Sequence, residues 1–338
     1  MAHIVATSTG FPTHYYPQQV LSTALQKYLL AMELDFDLEI IERFFTNVAI
    51  DGRYFAFPLD SFYDPPGFGT IANAAIDTSV DLLKETVSKL LAKVDLEPQQ
   101  VSQLTSVTLT PAVPSLDIRL MNQVPFSPNI KRMPLCGVGC MGGAFGLSRA
   151  AEYLQCRPTE ASIVFAVELS SCLWQGSLQR DLYNLIKQLP EDPAQYTNII
   201  MAIVTAALFG DGSGAVLMVG DEHPLAQSGQ PRIIDSCSIM LPDTVHLMGM
   251  DLVDTGTRNV LRPEVSDHVK VGLRKAIDPL LAKHDISTDK IARWIVHPGG
   301  PKIIQAVEDE FALSDAALKP SRDALTKIGN ISSPTVLY

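Results

Sequence analysis

Hydrophobic positions along the chain fall into two alternating rhythms. Short apolar or β-branched runs at Leu104–Leu109, Ser162–Glu168, Gly214–Val219, Arg232–Met240 and Ala292–Val296 predict strands. Between and around them, apolar residues recur at helical spacing over Gln18–Met32, Thr70–Ala92, Gly142–Gln155, Asp267–Lys283, Pro301–Phe311 and Ala316–Ile328. This alternation predicts an α/β architecture. Tyr63–Gly69 (YDPPGFG) is a loop by its Pro and Gly content. No short tandem repeat or low-complexity tract interrupts the pattern.

A subtler echo does run through it. Twice, a polar or nucleophilic residue follows a glycine just before small and apolar residues: Gly139-Cys140-Met141-Gly142-Gly143-Ala144 and Gly329-Asn330-Ile331-Ser332-Ser333. Both read as the tight start of a buried helix, where glycine permits close backbone approach.

Length and charge narrow the function classes. At 338 residues the chain is long enough for two domains or one duplicated unit, and 46% hydrophobic against 19% charged residues fits a soluble protein with a large core. Twenty-six basic against 37 acidic residues give a net charge of −11. That sum repels phosphate and argues against nonspecific partners such as nucleic acid or anionic membrane. The longest apolar run, Ile199–Phe209 broken by Thr205, falls short of the ~20 residues a membrane span needs. Met1–Gly10 lacks the basic flank and apolar core of a secretory signal, so a cytoplasmic location is expected. The five cysteines, an odd number without a C-x-x-C pair, predict reduced thiols and no metal site.

One cysteine stands apart. Cys140 lies in LCGVGCMGGAFGLSRAAEYL, where a predicted strand gives way to a helix apolar on nearly every face. A thiol at a helix N-terminus feels the positive end of the macrodipole, which favours its thiolate, and Gly139, Gly142 and Gly143 leave room for a substrate carbonyl. A packed structural turn explains the cysteine equally well from this stretch alone. Cys136 belongs in the preceding strand as packing. Among seven histidines, His297 alone directly follows an apolar strand and precedes a Pro-Gly-Gly-Pro turn. Strand ends of that kind are where α/β folds place their chemistry. Asn330 in IGNISSP would by itself be a cap or turn residue. Together the three supply a nucleophile, an acid/base and a second hydrogen-bond donor. Decarboxylative Claisen condensation needs that set: an acyl group on the thiol, and two donors for the enolate left when a malonyl thioester loses CO₂.

At this point the chain resembles a known family. GVGCMGGAFGLSRAAEYL, ALFGDGSGAVLMVG (Ala207–Gly220), VHPGGPKII (Val296–Ile304) and GNISSPTVLY (Gly329–Tyr338) are similar, in order and spacing, to the signature segments of type III polyketide synthases, the chalcone synthase-like family. The resemblance implies a thiolase-like αβαβα fold of two related halves, with residues 1–220 carrying the cysteine and 221–338 the His and Asn. It also implies a homodimer, acyl-CoA starters and malonyl-CoA extender, with no cofactor beyond these thioester substrates. A Cys-His-Asn triad falls on Cys140, His297 and Asn330. The family's gating phenylalanine falls on Phe209, its CoA-phosphate arginine on Arg43, and a second cavity position on Asn259. Asn47 and Ile40 stand where Lys is often found. Asn259 in place of an aromatic implies a wider pocket suited to longer or aliphatic starters.

Two departures accompany the match. Ser171–Ala206 is longer than the family pattern and lies near the gate. The chain also stops at Tyr338, inside the helix expected after Asn330, so the second half is expected to lack its final strands and the family's GFGPG loop. A fragment of a longer product or a truncated form follows from that reading. The leading expectation is an acyltransferase that builds a pyrone- or resorcinol-type polyketide. The alternatives are a catalytically silent truncated homologue and a ketoacyl synthase III-like enzyme performing one condensation.

Overall fold

The computed structural model describes residues 1–110, 112–172, 176–254 and 256–338. The chain begins with β1 (Ala2–Gly10), β2 (His14–Pro17), α1 (Gln18–Ala31), α2 (Leu38–Asn47), β3 (Gly52–Phe55) and α3 (Phe68–Ala92). It continues through β4 (Gln103–Val107), α4 (Leu116–Met121), β5 (Lys131–Leu135), α5 (Gly142–Cys156), β6 (Ala161–Leu169), α6 (Gly176–Gln188), α7 (Gln195–Leu208) and β7 (Asp211–Gly220). The remainder holds β8 (Arg232–Ile233), β9 (Met248–Val253), β10 (Gly256–Leu261), α8 (Val265–Lys283), α9 (Pro301–Phe311) and α10 (Asp315–Ile328).

Six strands form one sheet in the order β5-β4-β6-β7-β1-β8. β4 is parallel to both β5 and β6, whereas β7 is antiparallel to β6 and β1. β6 and β7 are buried along their whole lengths, which explains why Ile163–Val167 and Ala215–Val219 are continuously apolar rather than alternating. Their side chains still divide by face, as the pleat requires. Ile163, Phe165, Val167, Leu217 and Val219 pack with the buried stripe of α3. Val164, Ala166, Val216 and Met218 pack with Ala150, Ala151 and Leu154 of α5. Each such large side chain withdrawn from water contributes roughly 1.5–3 kcal/mol.

A third cluster lies away from this sheet and unites α1, α2, α6, α7, α9 and α10 around Leu29, Ile41, Phe45, Phe209, Trp294 and Leu318. α2 starts on the Asp37 side chain, which accepts from the Glu39 N–H at 3.0 Å, and turns Ile40, Ile41 and Phe45 inward. The run Ile199–Phe209 is the core face of α7.

The helices read from the sequence are present to within about two residues at their ends. Two expected strands are not. Only Arg232–Ile233 of the Arg232–Met240 run joins a ladder, against Ala2 and His3, and Ile234, Ile239 and Met240 face solvent. Ala292–Val296 is extended without a strand partner: the Trp294 N–H bonds to the Ala317 carbonyl, and the Val296 N–H to Ser321 Oγ, both on α10. Trp294 stacks on Phe311 of α9 while Ile295 stays 67% exposed. Alternating apolarity is satisfied here by helices on one side and water on the other. Within Ser171–Ala206, residues 173–175 lie outside the described residues, as does Pro111 of the Thr108–Leu120 segment; the described part forms α6 and α7.

Candidate active site

Cys140 sits in a single 3-10 turn, Gly139–Met141, between β5 and α5. It is half-buried, with Sγ 3.4 Å from Ser332 Oγ. Burial pushes its thiol up to about 11; the Ser332 hydroxyl opposes that shift and the nearby Glu168 charge adds to it. The sequence reading of a thiolate favoured by a helix N-terminus is therefore corrected. The thiol precedes the α-helix proper, and its burial disfavours the charged form. Cys136 is corrected too: it follows β5, is exposed, and packs no core.

Asn330 is almost fully buried. It does not open an α-helix but links the end of α10 to a 3-10 helix at Ser333–Leu337. Its backbone forms a parallel bridge with Phe209: the Asn330 N–H bonds to the Leu208 carbonyl at 3.0 Å, and the Gly210 N–H to the Asn330 carbonyl at 3.0 Å. Its Oδ1 accepts from the Ser332 N–H at 2.8 Å, and its Nδ2 donates to the Gly299 carbonyl at 3.4 Å. A carboxamide has two N–H donors, so one proton is left for another acceptor.

His297 closes the extended segment described above. Both ring nitrogens are shielded from solvent and lack a hydrogen-bond partner among the described residues. Burial holds the imidazole down at about 4, so it is neutral at physiological pH. A Cβ built on Gly299 would lie 3.9 Å from His297 Nε2, which places the ring over the backbone that Asn330 binds. The contacts thus run from Cys140 to Ser332, from Ser332 to Asn330, from Asn330 to Gly299, and from Gly299 to His297. Residues far apart in the chain share one site.

The seam that holds them together depends on the two glycine-bounded segments noted in the sequence. A Cβ on Gly143 would meet the Ser333 carbonyl at 2.3 Å, so only glycine lets α5 and the Ser333–Leu337 turn approach this closely. Ser332 itself is fully buried at φ +59°, a sparsely populated backbone region for a residue with a Cβ.

Two residues of the site escaped the sequence reading. Ser332 is one. The other is Glu168, at the end of β6, which accepts from Ser333 Oγ at 2.7 Å and from the Leu109 N–H at 3.0 Å, with Thr108 Oγ1 at 3.5 Å. Burial raises its carboxyl to about 7 against the opposing pull of those hydrogen bonds. A lone acidic residue in a mostly apolar strand was the one faint signal, because a buried carboxylate persists only where donors surround it.

The remaining expected residues are placed differently. Phe209 is buried between the third core cluster and Asn330. Arg43 lies on the exposed face of α2, and Ile40 points into the core, where a phosphate-binding lysine could not serve. Asn259, on β10, donates to Thr205 Oγ1 at 3.3 Å and lines a cavity of about 250 Å³ with Asp181, Asn198, Thr205, Arg258 and Arg262. Arg258 pairs with Asp181 at 3.0 Å across this space. Leu185, Met201, Ala202, Val260 and Leu261 line the same cavity, so its wall is mixed in polarity. Thr205 lies one helical turn before Phe209, whose N–H bonds to the Thr205 carbonyl at 3.3 Å.

The mixed α/β arrangement, with helices packed on the sheet, is a thiolase-like fold. Comparison with known proteins is more specific. Residues 19–182 match the model for FAE1/type III polyketide synthase-like proteins, and residues 232–338 that for the C-terminal domain of chalcone and stilbene synthases. The chain is 32% identical over 335 residues to the 1,3,6,8-tetrahydroxynaphthalene synthase of Streptomyces peucetius subsp. caesius, covering 99% of this chain and 83% of that protein. Its fold is similar to the solved 1,3,6,8-tetrahydroxynaphthalene synthase of Streptomyces coelicolor, with a TM-score of 0.84 at 21% identity, covering 99% of this chain and 88% of that one. A type III pentaketide synthase from Neurospora crassa gives a TM-score of 0.80 at 23% identity, with the same coverages. The chain belongs to the type III polyketide synthase family, chalcone synthase-like acyltransferases of thiolase-like fold.

Proposed function

We propose that the protein condenses an acyl-CoA starter with malonyl-CoA units and cyclises the product to a pyrone- or resorcinol-type polyketide. The observation that carries this reading is the convergence of Cys140, Asn330 and His297 on one buried seam. With the thiol near 11 and the imidazole near 4, the resting pair is neutral. His297 therefore acts as a base only as the thiol attacks. Cys140 Sγ bonds to the acyl carbon, its proton passes through His297, and CoA leaves as the thiol. Malonyl-CoA then loses CO₂, and the electron pair of the broken C–C bond moves onto the thioester oxygen. A neutral imidazole N–H and the Asn330 Nδ2–H donate to that oxygen. The enolate carbon attacks the acyl thioester, and the Cys140 thiolate departs, ready to receive the lengthened chain.

Asn259 in place of an aromatic widens the pocket and suits longer or aliphatic starters. In this reading Arg43, which is open to solvent, binds a CoA phosphate, and the enzyme works as a homodimer. Incubation with a panel of acyl-CoA starters and labelled malonyl-CoA tests the reading. Wild type should yield extended, cyclised products and Cys140→Ala none; undiminished product from that variant would remove the covalent mechanism. Arg43→Ala should raise KM for malonyl-CoA and leave kcat alone. Size exclusion with light scattering should find two chains per particle; an active monomer would refute the dimer.

A further inference from the structure

Among the described residues, Arg53 is the largest side chain that is entirely withdrawn from solvent. It rises from β3 and lies between the rings of Phe45 and Phe55, 5.8 and 5.6 Å from their centroids. A buried guanidinium is costly, and a chain keeps one only where its fork is used. Here Nη1 donates to the Phe209 carbonyl at 2.5 Å, and Nε donates to Gln18 Oε1 at 3.1 Å. Gln18 in turn donates from Nε2 to the Ala207 carbonyl at 2.8 Å. Both carbonyls lie at the end of α7, where four C=O groups lack helical partners and a cation is favoured. Asp211 supplies the compensating charge from a pocket where Ala56 and Ser171 N–H groups hold it.

The other side of Arg53 meets Asn330's neighbour. Gly329 adopts φ +69°, and a Cβ there would stand 2.8 Å from Arg53 Cδ and Cγ. Arg53 thus bears on both sides of the Phe209–Asn330 bridge: on Phe209 through its guanidinium, and on Gly329, the residue before Asn330, through its aliphatic stem. Whatever shifts that bridge shifts the Asn330 amide.

From this geometry we infer that Arg53 is a positioning residue that sets the aim of the Asn330 carboxamide, acting from outside the site. The inference rests on the Cys140–His297–Asn330 reading and deepens it. A misplacement of about 1 Å can cost about 10²-fold in rate.

The test uses full-length Arg53→Lys, Arg53→Met and Asn330→Ala enzymes and the double variant Arg53→Met/Asn330→Ala. Each is assayed for alkylation of Cys140 by iodoacetamide, acylation by acyl-CoA, and turnover of malonyl-CoA. Arg53→Met should acylate and alkylate within about threefold of wild type yet lose about 10²-fold in turnover. Arg53→Lys should recover part of that loss. In the double variant the two losses should not multiply, since both act through one amide. Multiplying losses, or acylation falling in step with turnover, would overturn the inference while leaving the Asn330 role intact. Full turnover by Asn330→Ala would instead remove the underlying reading. Should Arg53→Met fail to fold, Gly329→Ala presses on the same contact from the other side and must show the same split; equal loss of acylation and turnover there would refute the inference.

Discussion

β6 and the segment Ala292–Val296 are written in the same apolar, β-branched vocabulary, yet they become different structures. β6 is wholly buried and laddered on both edges, parallel to β4 and antiparallel to β7. The second segment is extended, but its N–H groups bond to a carbonyl and a hydroxyl on α10. An apolar alternating run specifies an extended backbone; whether it becomes a strand depends on neighbours. Both segments end at the site, one at Glu168 and the other just before His297. The site therefore joins a deeply braced region to one held mainly by helices, and that contrast can be tested residue by residue.

The largest effect is expected in the braced half. Ile163 in β6 is fully buried against the α3 face of the core. Ile163→Ala removes three carbons where surrounding strands cannot collapse, and should cost about 2–5 kcal/mol. Urea unfolding with an unchanged m-value would measure it. A loss below about 1 kcal/mol would show that the sheet is less tightly packed than described.

Charge sharpens the comparison next. Burial lifts Glu168 from 4.5 to about 7. The native state thus holds its proton more tightly than the unfolded chain does. That contribution is fully present below about pH 4.5 and is lost as pH rises through about 7. From the size of that shift, the amount lost is on the order of 3 kcal/mol. Asp235, half-buried after β8, is pulled the opposite way by Lys283 and His284 of the α8 end, well below the usual carboxylate range. Its contribution is present at neutral pH and disappears only on strong acidification. Glu168→Gln should flatten the stability profile between pH 4.5 and 7, measured by denaturant melts at several pH values. A profile with the same slope as wild type would reassign that dependence elsewhere.

The seam between the regions comes third. Gly143→Ala places a methyl 2.3 Å from the Ser333 carbonyl, and backbone must yield. Overpacking of this kind costs about 1–3 kcal/mol. It should also push the turn that carries Ser332 away from Cys140, so that turnover falls by more than the lost stability explains. Thermal melts compared with turnover at a temperature where the variant is folded would separate the two.

What was legible in the sequence follows the same division. Helices with a clear apolar stripe were readable, because their hydrogen bonds are internal and need no partner. β6 and β7 were readable from continuous apolarity. Cys140, His297 and Asn330 could be named, but not their company. Ser332 and Glu168 act through contacts made across the fold, and a serine beside a serine or a glutamate in a strand gives little notice of that. Nor could the sequence show that Cys140 is desolvated: burial of a thiol depends on what packs over it, and in this fold that is the turn around Ser332, far along the chain.

The smallest expected effect completes the contrast. Ile295 has the same chemistry as Ile163 and occupies the same kind of predicted strand, but 67% of it faces water. Its neighbours in sequence carry the packing: Trp294 on Phe311, and the Val296 N–H on Ser321. Ile295→Thr keeps the β-branch and the extended backbone and exchanges the exposed ethyl arm for a hydroxyl that water can solvate. Stability should change by no more than about 0.5 kcal/mol, and turnover should hold, because no contact to His297 passes through this side chain. A loss of 2 kcal/mol or more, on the scale expected for a core isoleucine, would mean that this face is covered in solution by something that buries it. A second chain packed there would make that loss depend on protein concentration, and melts over a hundredfold range would reveal it.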